Sequence, residues 1–233
     1  MKYESRFVAG KILTEYLKQN REELYNSISQ KPERFFCFAI PNGGVPVIEG
    51  FCSHFDIKYD ILIVRKLKIP YNTEAGFGAI TTDGTVLFNQ PLLNQLNLSE
   101  KQINESINIT KEEIDQRIKF YKRQSILQEF YIKNIQTKNI IIIDDGLASG
   151  FTMLAGIKMI KNYNPNDIFI AVPTAPLRTI QRIQDEVSEI FCPNISNRLW
   201  FAVADAYKHW YDVPENEVLE IISNSKYFIH NIK

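Results

Sequence analysis

The stretch Ile140-Ile141-Ile142-Ile143-Asp144-Asp145-Gly146-Leu147-Ala148-Ser149-Gly150-Phe151-Thr152 decides the fold expected of this chain. Four consecutive β-branched apolar residues predict a strand buried on both faces, as in a parallel sheet. The apolar pattern from Met153 to Ile160 predicts a helix. A strand that delivers a turn of Gly, Ala and Ser to a helix N-terminus is suited to phosphate. Backbone N–H groups converge on anionic oxygens only where bulky side chains are absent, and the first helical turn adds unpaired donors. Asp144 and Asp145 ask for a different partner. If both turn as the strand ends, their carboxylates meet the hydroxyls of a sugar. A buried strand closing in an Asp-rich turn accounts for the isoleucines, but not for Gly150 and Thr152 together with both aspartates.

Working outward, Phe35–Ile40, Tyr59–Val64, Ile168–Val172 and Glu189–Cys192 are further apolar runs of strand length, with helical patterns between most of them. Strand and helix alternation predicts an α/β fold: a parallel sheet with helices on both faces and one ligand-binding edge at the strands' carboxyl ends. At that edge Pro41-Asn42-Gly43-Gly44 follows the first strand, before a helix from Val47 to Phe55. Its two glycines let backbone approach a ligand closely. Arg65, Lys66 and Lys68 follow the second strand, a placement that calls for solvent or an anion.

Elsewhere, Ser5 to Ser29 reads as one or two surface helices, and 77–81 with 85–89 as a hairpin through Asp83-Gly84. Ser99 and Gln102 form a capping box before a long helix striped by Ile103, Ile107, Ile114, Ile118 and Tyr121. Arg117, Lys119, Lys122 and Arg123 near its end read as solvated residues complementing the helix C-terminus. The chain is expected to form one domain, with a core of about 34–192 and a hood from about 1–30 and 193–233.

Composition excludes several classes. Lys and Arg number 27 and so do Asp and Glu, so no global field draws the chain to nucleic acid or to a membrane surface. Cys37, Cys52 and Cys192 lack metal or redox spacing and suit a reducing, cytoplasmic setting. His54, His209 and His230 show no metal-ligand spacing.

The opening stretch resembles, at all thirteen positions, the phosphoribosyl-pyrophosphate signature of the type I phosphoribosyltransferases: four hydrophobic residues, two acidic, four small or apolar, Gly, any residue, Thr. The resemblance implies that Asp144 and Asp145 lie along the ribose hydroxyls and hold Mg²⁺ through water or those hydroxyls. Ala148, Ser149, Gly150, Phe151 and Thr152 would hold the 5′-phosphate, Gly146 and Leu147 before them would also bind substrate, and Pro41, Asn42, Gly43 and Gly44 would form the pyrophosphate loop. Arg65 and Lys66 would open a mobile, irregular loop of about 66–78 that covers the pyrophosphate, within which Glu74 matches a Pro-x-Asn-x-Glu-Ala pattern. Similar proteins carry Arg where Asn42 stands. The exchange removes a cation, and Asn42→Arg is expected to raise pyrophosphate affinity. Phe201, Trp210 and Tyr211, in an aromatic tail similar to that of the same branch, are candidates to stack on a planar acceptor. By resemblance the chain is a homodimeric, Mg²⁺-dependent enzyme that moves a phosphoribosyl group from phosphoribosyl pyrophosphate to a nitrogenous acceptor such as a nucleobase. A non-catalytic regulator binding that donor or a nucleotide is the alternative, with Asn42 in its favour. A phosphate-binding hydrolase ranks last for want of a nucleophile or metal-ligand set.

Overall fold

The computed structural model describes residues 2–123 and 128–230, apart from the side chains of residues 73 and 74. The Glu74 side chain and the last residues of the expected 193–233 hood segment lie outside the described residues. Helix α1 (Arg6–Asn20), capped by the Ser5 hydroxyl, and α2 (Glu22–Gln30) precede strand β1 (Phe35–Ala39), α3 (Gly44–Phe55) and β2 (Tyr59–Ile61). Strands β3 (Val64–Ile69), β4 (Asn72–Thr81) and β5 (Val86–Phe88) come next, then α4 (Gln90–Leu96), α5 (Glu100–Phe120) and α6 (Gln128–Ile135). The second half runs β6 (Asn139–Ile143), α7 (Phe151–Lys161), β7 (Asp167–Ala171), β8 (Thr174–Pro176), α8 (Leu177–Ile183), β9 (Glu189–Phe191), β10 (Asn194–Ser196) and α9 (Glu215–Asn224).

The main sheet is parallel throughout, in the order β2-β1-β6-β7-β9. Its register sets the site. Ala39 pairs with Ile143 and Ile143 with Ala171, so β1, β6 and β7 end level and release their loops side by side. The isoleucine run explains why β6 is central. Ile140 and Ile142 pack with Phe36, Phe38, Met153 and Ile157 on one face, and Ile141 and Ile143 with Cys37, Val45 and Ile48 on the other. All four are at most 1% exposed, and each contributes about 2 kcal/mol of apolar burial.

Beside this sheet, β3-β4-β5 form an antiparallel sheet. The expected 77–81 and 85–89 hairpin is there, Ala79 pairing with Leu87. The stretch of about 66–78 is not the irregular loop expected. It forms most of the β3/β4 hairpin, in register from Val64 with Thr81 to Leu67 with Gly78, with irregularities on either side of Lys68. Leu67, Ile69 and Phe77 are buried in one core with Ile114 and Tyr121 of the α5 region, and that buried face outweighs the local turn signals of Asn72 and Gly76. Pro70 falls in the turn between the two strands. Pro173–Pro176 likewise does more than end a strand: β8 pairs in parallel with β10 in a second small sheet.

The basic run ending α5 is solvated only in part: Lys119 and Lys122 are exposed as expected, Arg117 is half-buried and Arg123 is buried. Arg123 is 2% exposed and paired with Asp60, which is fully buried in β2, and its guanidinium also donates to the Ile229 carbonyl. Burial pushes the Asp60 carboxyl up to about 6, while Arg123 and the Ile61 N–H hold it down. The capping box at Ser99 and Gln102 is present as expected, so local signals placed the helix start correctly while tertiary packing decided the fate of its last residues.

Candidate functional site

The acidic pair sits where β6 gives out. Asp144 Oδ1 accepts the Asp145 N–H at 2.8 Å, an Asx-type bond that turns the chain as the strand ends. Arg6, at the start of α1, donates Nε to Asp145 Oδ2 at 2.8 Å, and the Tyr207 hydroxyl donates to the Asp145 carbonyl at 2.7 Å. Burial raises the Asp144 carboxyl well above the usual range, and the neighbouring Asp145 charge adds to this. Burial also raises Asp145, opposed by the Arg6 guanidinium. Two half-buried carboxyl groups thus share one cation. Among the described residues no group of three or more His, Cys, Asp or Glu forms a metal cage. A hard cation that keeps its waters and shares ligands with a substrate fits this donor set, and a structural metal held by protein alone does not.

The loop from Gly146 to Thr152 runs from the acidic pair into α7. Gly146 lies against Val203 and Thr174, the Leu147 N–H is spent on the Thr174 carbonyl at 2.9 Å, and Leu147 is buried, so the loop is anchored to β8 at its start. The Ala148 and Ser149 carbonyls are turned outward to Thr179 Oγ1 and Arg182 Nη1, each at 2.6 Å. Gly150 takes φ +82°, a left-handed conformation that suits glycine, and no side chain caps α7. The first-turn donors at Phe151 and Thr152 are therefore available to an anion. Arg182 stands beside them, its guanidinium 5.4 Å from the centre of the Phe151 ring.

The second loop meets the first. A Cβ on Gly43 would stand 2.0 Å from Asp145 Oδ2, and one on Gly44 2.8 Å from the Ile143 carbonyl. Only glycine lets the backbone of 43 and 44 lie against the end of β6, and α3 begins at Gly44 rather than at Val47. Pro41 and Asn42 complete this loop through a cis peptide bond. Asn42 does not point freely into the site. Its amide donates to the Val213 carbonyl at 2.7 Å, and its oxygen accepts from Arg117 Nη1 at 2.8 Å and from the Tyr121 hydroxyl at 3.1 Å. An arginine at position 42 would meet Arg117, so the gain in pyrophosphate affinity expected from the sequence does not follow.

Arg65 and Lys66 are adjacent in β3 and project to opposite faces. Arg65 is half-buried, and its guanidinium is made less basic first by burial and then by the Arg117 charge. Lys66 is exposed. The tail aromatics also divide. Trp210 and Tyr211 close on Arg6, whose guanidinium carbon stands 4.2 Å and 5.3 Å from their ring centres, and Tyr207 is 5.4 Å away. Phe201 instead lines a cavity of about 520 Å³ with Trp200, Asn194, Thr174 and Asp205. Phe201, Trp210 and Tyr211 therefore do not form one stacking set. Trp210 and Tyr211 hold the cation that orients Asp145.

Arg6, Tyr207, Arg117 and Arg182 were not singled out as site residues from the sequence. Arg6 carries no motif, and its contact with Asp145 spans 139 positions. Arg117 reads in the sequence only as part of a basic run.

Comparison with known proteins agrees with this architecture. A family model described as a phosphoribosyl transferase domain matches residues 10–209. A Mycobacterium tuberculosis protein, named for an inferred phosphoribosyl transferase activity, is 27% identical over 187 residues, which is 80% of this chain and 41% of that protein. The chain thus spans less than half the length of that relative. A uracil phosphoribosyltransferase of Ureaplasma parvum is 33% identical over 70 residues, 29% of this chain and 33% of that enzyme. A crystal structure of a Thermus thermophilus protein is similar in fold, with a TM-score of 0.71 at 21% identity over 95% of this chain and 97% of that one. The matched span of 10–209 takes in both glycine-bearing loops, the acidic pair and the helix they lead to, and the chain belongs to the phosphoribosyl transferase domain family.

Proposed function

We propose that this protein transfers the 5-phosphoribosyl group of phosphoribosyl pyrophosphate to a nitrogenous acceptor, a nucleobase, and releases pyrophosphate. The observation that carries this reading is the contact of the two strand-end loops. Gly43 and Gly44 abut Asp145 and Ile143, next to an uncapped α7 N-terminus, so a sugar lying along the carboxylates has one anion site on either side. In the transfer the C1′–oxygen bond breaks and its electron pair leaves with pyrophosphate. The acceptor nitrogen forms the new bond to C1′, and its proton passes to solvent. Positive charge develops on the sugar, and Asp144 and Asp145 favour it electrostatically while orienting the ribose hydroxyls. The 146–152 loop holds the 5′-phosphate, and the 41–44 backbone with Arg65 receives the leaving group. Magnesium, when bound with the donor, supplies neutralising charge to the phosphate oxygens.

The acceptor reading rests on the cavity that Thr174 lines, the residue against which Gly146 also lies. Trp200 and Phe201 supply aromatic faces, and Asn194, Asn197 and Asp205 supply donors and acceptors, the lining that a planar heteroaromatic base requires. A test is incubation with phosphoribosyl pyrophosphate, magnesium and a panel of purine and pyrimidine bases. Pyrophosphate release with one base is the expected result. Tight donor binding without turnover on any base would overturn transfer and favour a regulator that senses the donor.

Gly43→Ala tests the loop contact directly. The added methyl must displace the Asp145 carboxylate, so magnesium-dependent binding of phosphoribosyl pyrophosphate, read by calorimetry, should fall by roughly tenfold or more. Unchanged affinity would separate Asp145 from the donor site.

A further inference from the structure

We infer that Arg117, in the last turn of α5, is a pyrophosphate-binding residue that acts with Arg65 as a pair of guanidiniums beside the 41–44 loop. This rests on the proposed function and names a binding group from an element outside both strand-end loops. Three observations carry it. Arg117 donates Nη1 to Asn42 Oδ1 at 2.8 Å, which fixes a guanidinium against the loop itself. The Tyr121 hydroxyl, one helical turn on, donates to the same oxygen at 3.1 Å, and the Asn42 amide is tied to the Val213 carbonyl at 2.7 Å. Asn42 thus works as a bracket for Arg117, with both lone pairs of its oxygen taken.

The charge count is the second observation. Arg117 has one carboxylate partner, Glu215 Oε1 at 2.8 Å, and Glu113, the other acid near Arg65, is paired with Lys68. Among the described residues Arg65 forms no ion pair, and its buried Nε has no hydrogen-bond partner. Arg65, Arg117 and Lys68 are thus three cations set against two carboxylates, Glu113 and Glu215, and an anion balances the positive charge left over. The third observation is donor capacity. Arg117 spends two hydrogen bonds on Asn42 and Glu215, and a guanidinium has five N–H donors, so bidentate donation to phosphate oxygens remains open. Its side chain is 16% exposed, which leaves an approach from the site.

The test compares magnesium pyrophosphate with ribose 5-phosphate as probes, measured by calorimetry on wild type, Arg117→Gln and Arg117→Lys. Glutamine removes the charge and keeps an amide donor, and Tm is read beside binding to show whether the fold is kept. Arg117→Gln should weaken magnesium pyrophosphate by roughly tenfold to a hundredfold and leave ribose 5-phosphate unchanged, with Arg117→Lys in between. Unchanged pyrophosphate affinity in Arg117→Gln, while phosphoribosyl pyrophosphate still binds, overturns the inference and leaves the proposed function standing. Equal weakening of both probes, with a lowered Tm, overturns it in favour of a structural tie. A wild-type protein that binds neither phosphoribosyl pyrophosphate nor pyrophosphate in magnesium overturns the proposed function, and the inference falls with it.

Discussion

Replacing Arg6 by Met should destabilise the ligand-free protein by about 3 kcal/mol, because it leaves two half-buried, neighbouring carboxyl groups with no cation between them. Arg6 is 5% exposed, and its ion pair with Asp145 at 2.8 Å is held under the Trp210, Tyr211 and Tyr207 rings. Methionine has similar reach and fills that cage, so the loss isolates charge from packing. For a chain of this size the corresponding fall in Tm is on the order of 10 °C. The check is a double-mutant cycle. Asp145→Asn in the Arg6→Met background removes the stranded charge and should recover most of the lost stability, giving a coupling of opposite sign to the single-mutant loss. A loss below about 1 kcal/mol in Arg6→Met, or no recovery in the double variant, would show that Arg6 is held by its aromatic contacts rather than by Asp145.

Replacing Arg123 by Met should give a loss of similar size that depends on pH. Asp60 is fully buried, and Arg123 is the charge that holds its carboxyl down to about 6. Its folded value already lies above its ordinary one, so the native state binds the extra proton and stability declines as pH rises from about 4 to about 6. Without Arg123 the folded value rises further. The decline then continues past pH 6, and the variant loses progressively more relative to wild type as pH goes from about 5 to about 8, reaching about 3–5 kcal/mol. Urea unfolding at three pH values measures this. A deficit independent of pH would mean that Arg123 contributes through Phe228 and the Ile229 carbonyl and not through Asp60.

Both predictions concern arginines whose partners are far away in the chain, and this separates what was legible from what was not. The strand ending at Ile143 and the helix after Gly150 were legible because their signals are local: a continuous β-branched run, then small residues, then helical periodicity. The capping box at Ser99 and the hairpin through Asp83-Gly84 were legible on the same ground. The 66–78 stretch was misjudged because its turn-forming residues outweighed an alternation of Leu67, Ile69 and Phe77 whose buried face exists only once α5 packs on it. Asn42 differs from its sequence reading for another reason. A sequence position reads as a side chain facing a ligand until its own neighbours are known, and here they are Arg117, Tyr121 and Val213.

By itself the sequence determined the parallel sheet, the edge at which its loops emerge and the family to which the chain belongs, since each follows from short runs whose signals are local. Only the tertiary structure decided which cations serve that edge. Arg6 reaches Asp145 across 139 positions and Arg117 reaches Asn42 across 75, and away from that edge Arg123 reaches Asp60, which pairs with Phe38 in mid-strand, across 63. Burial sets the strength of such pairs, and burial depends on how α1, α5 and the tail close over the sheet, which no local pattern encodes.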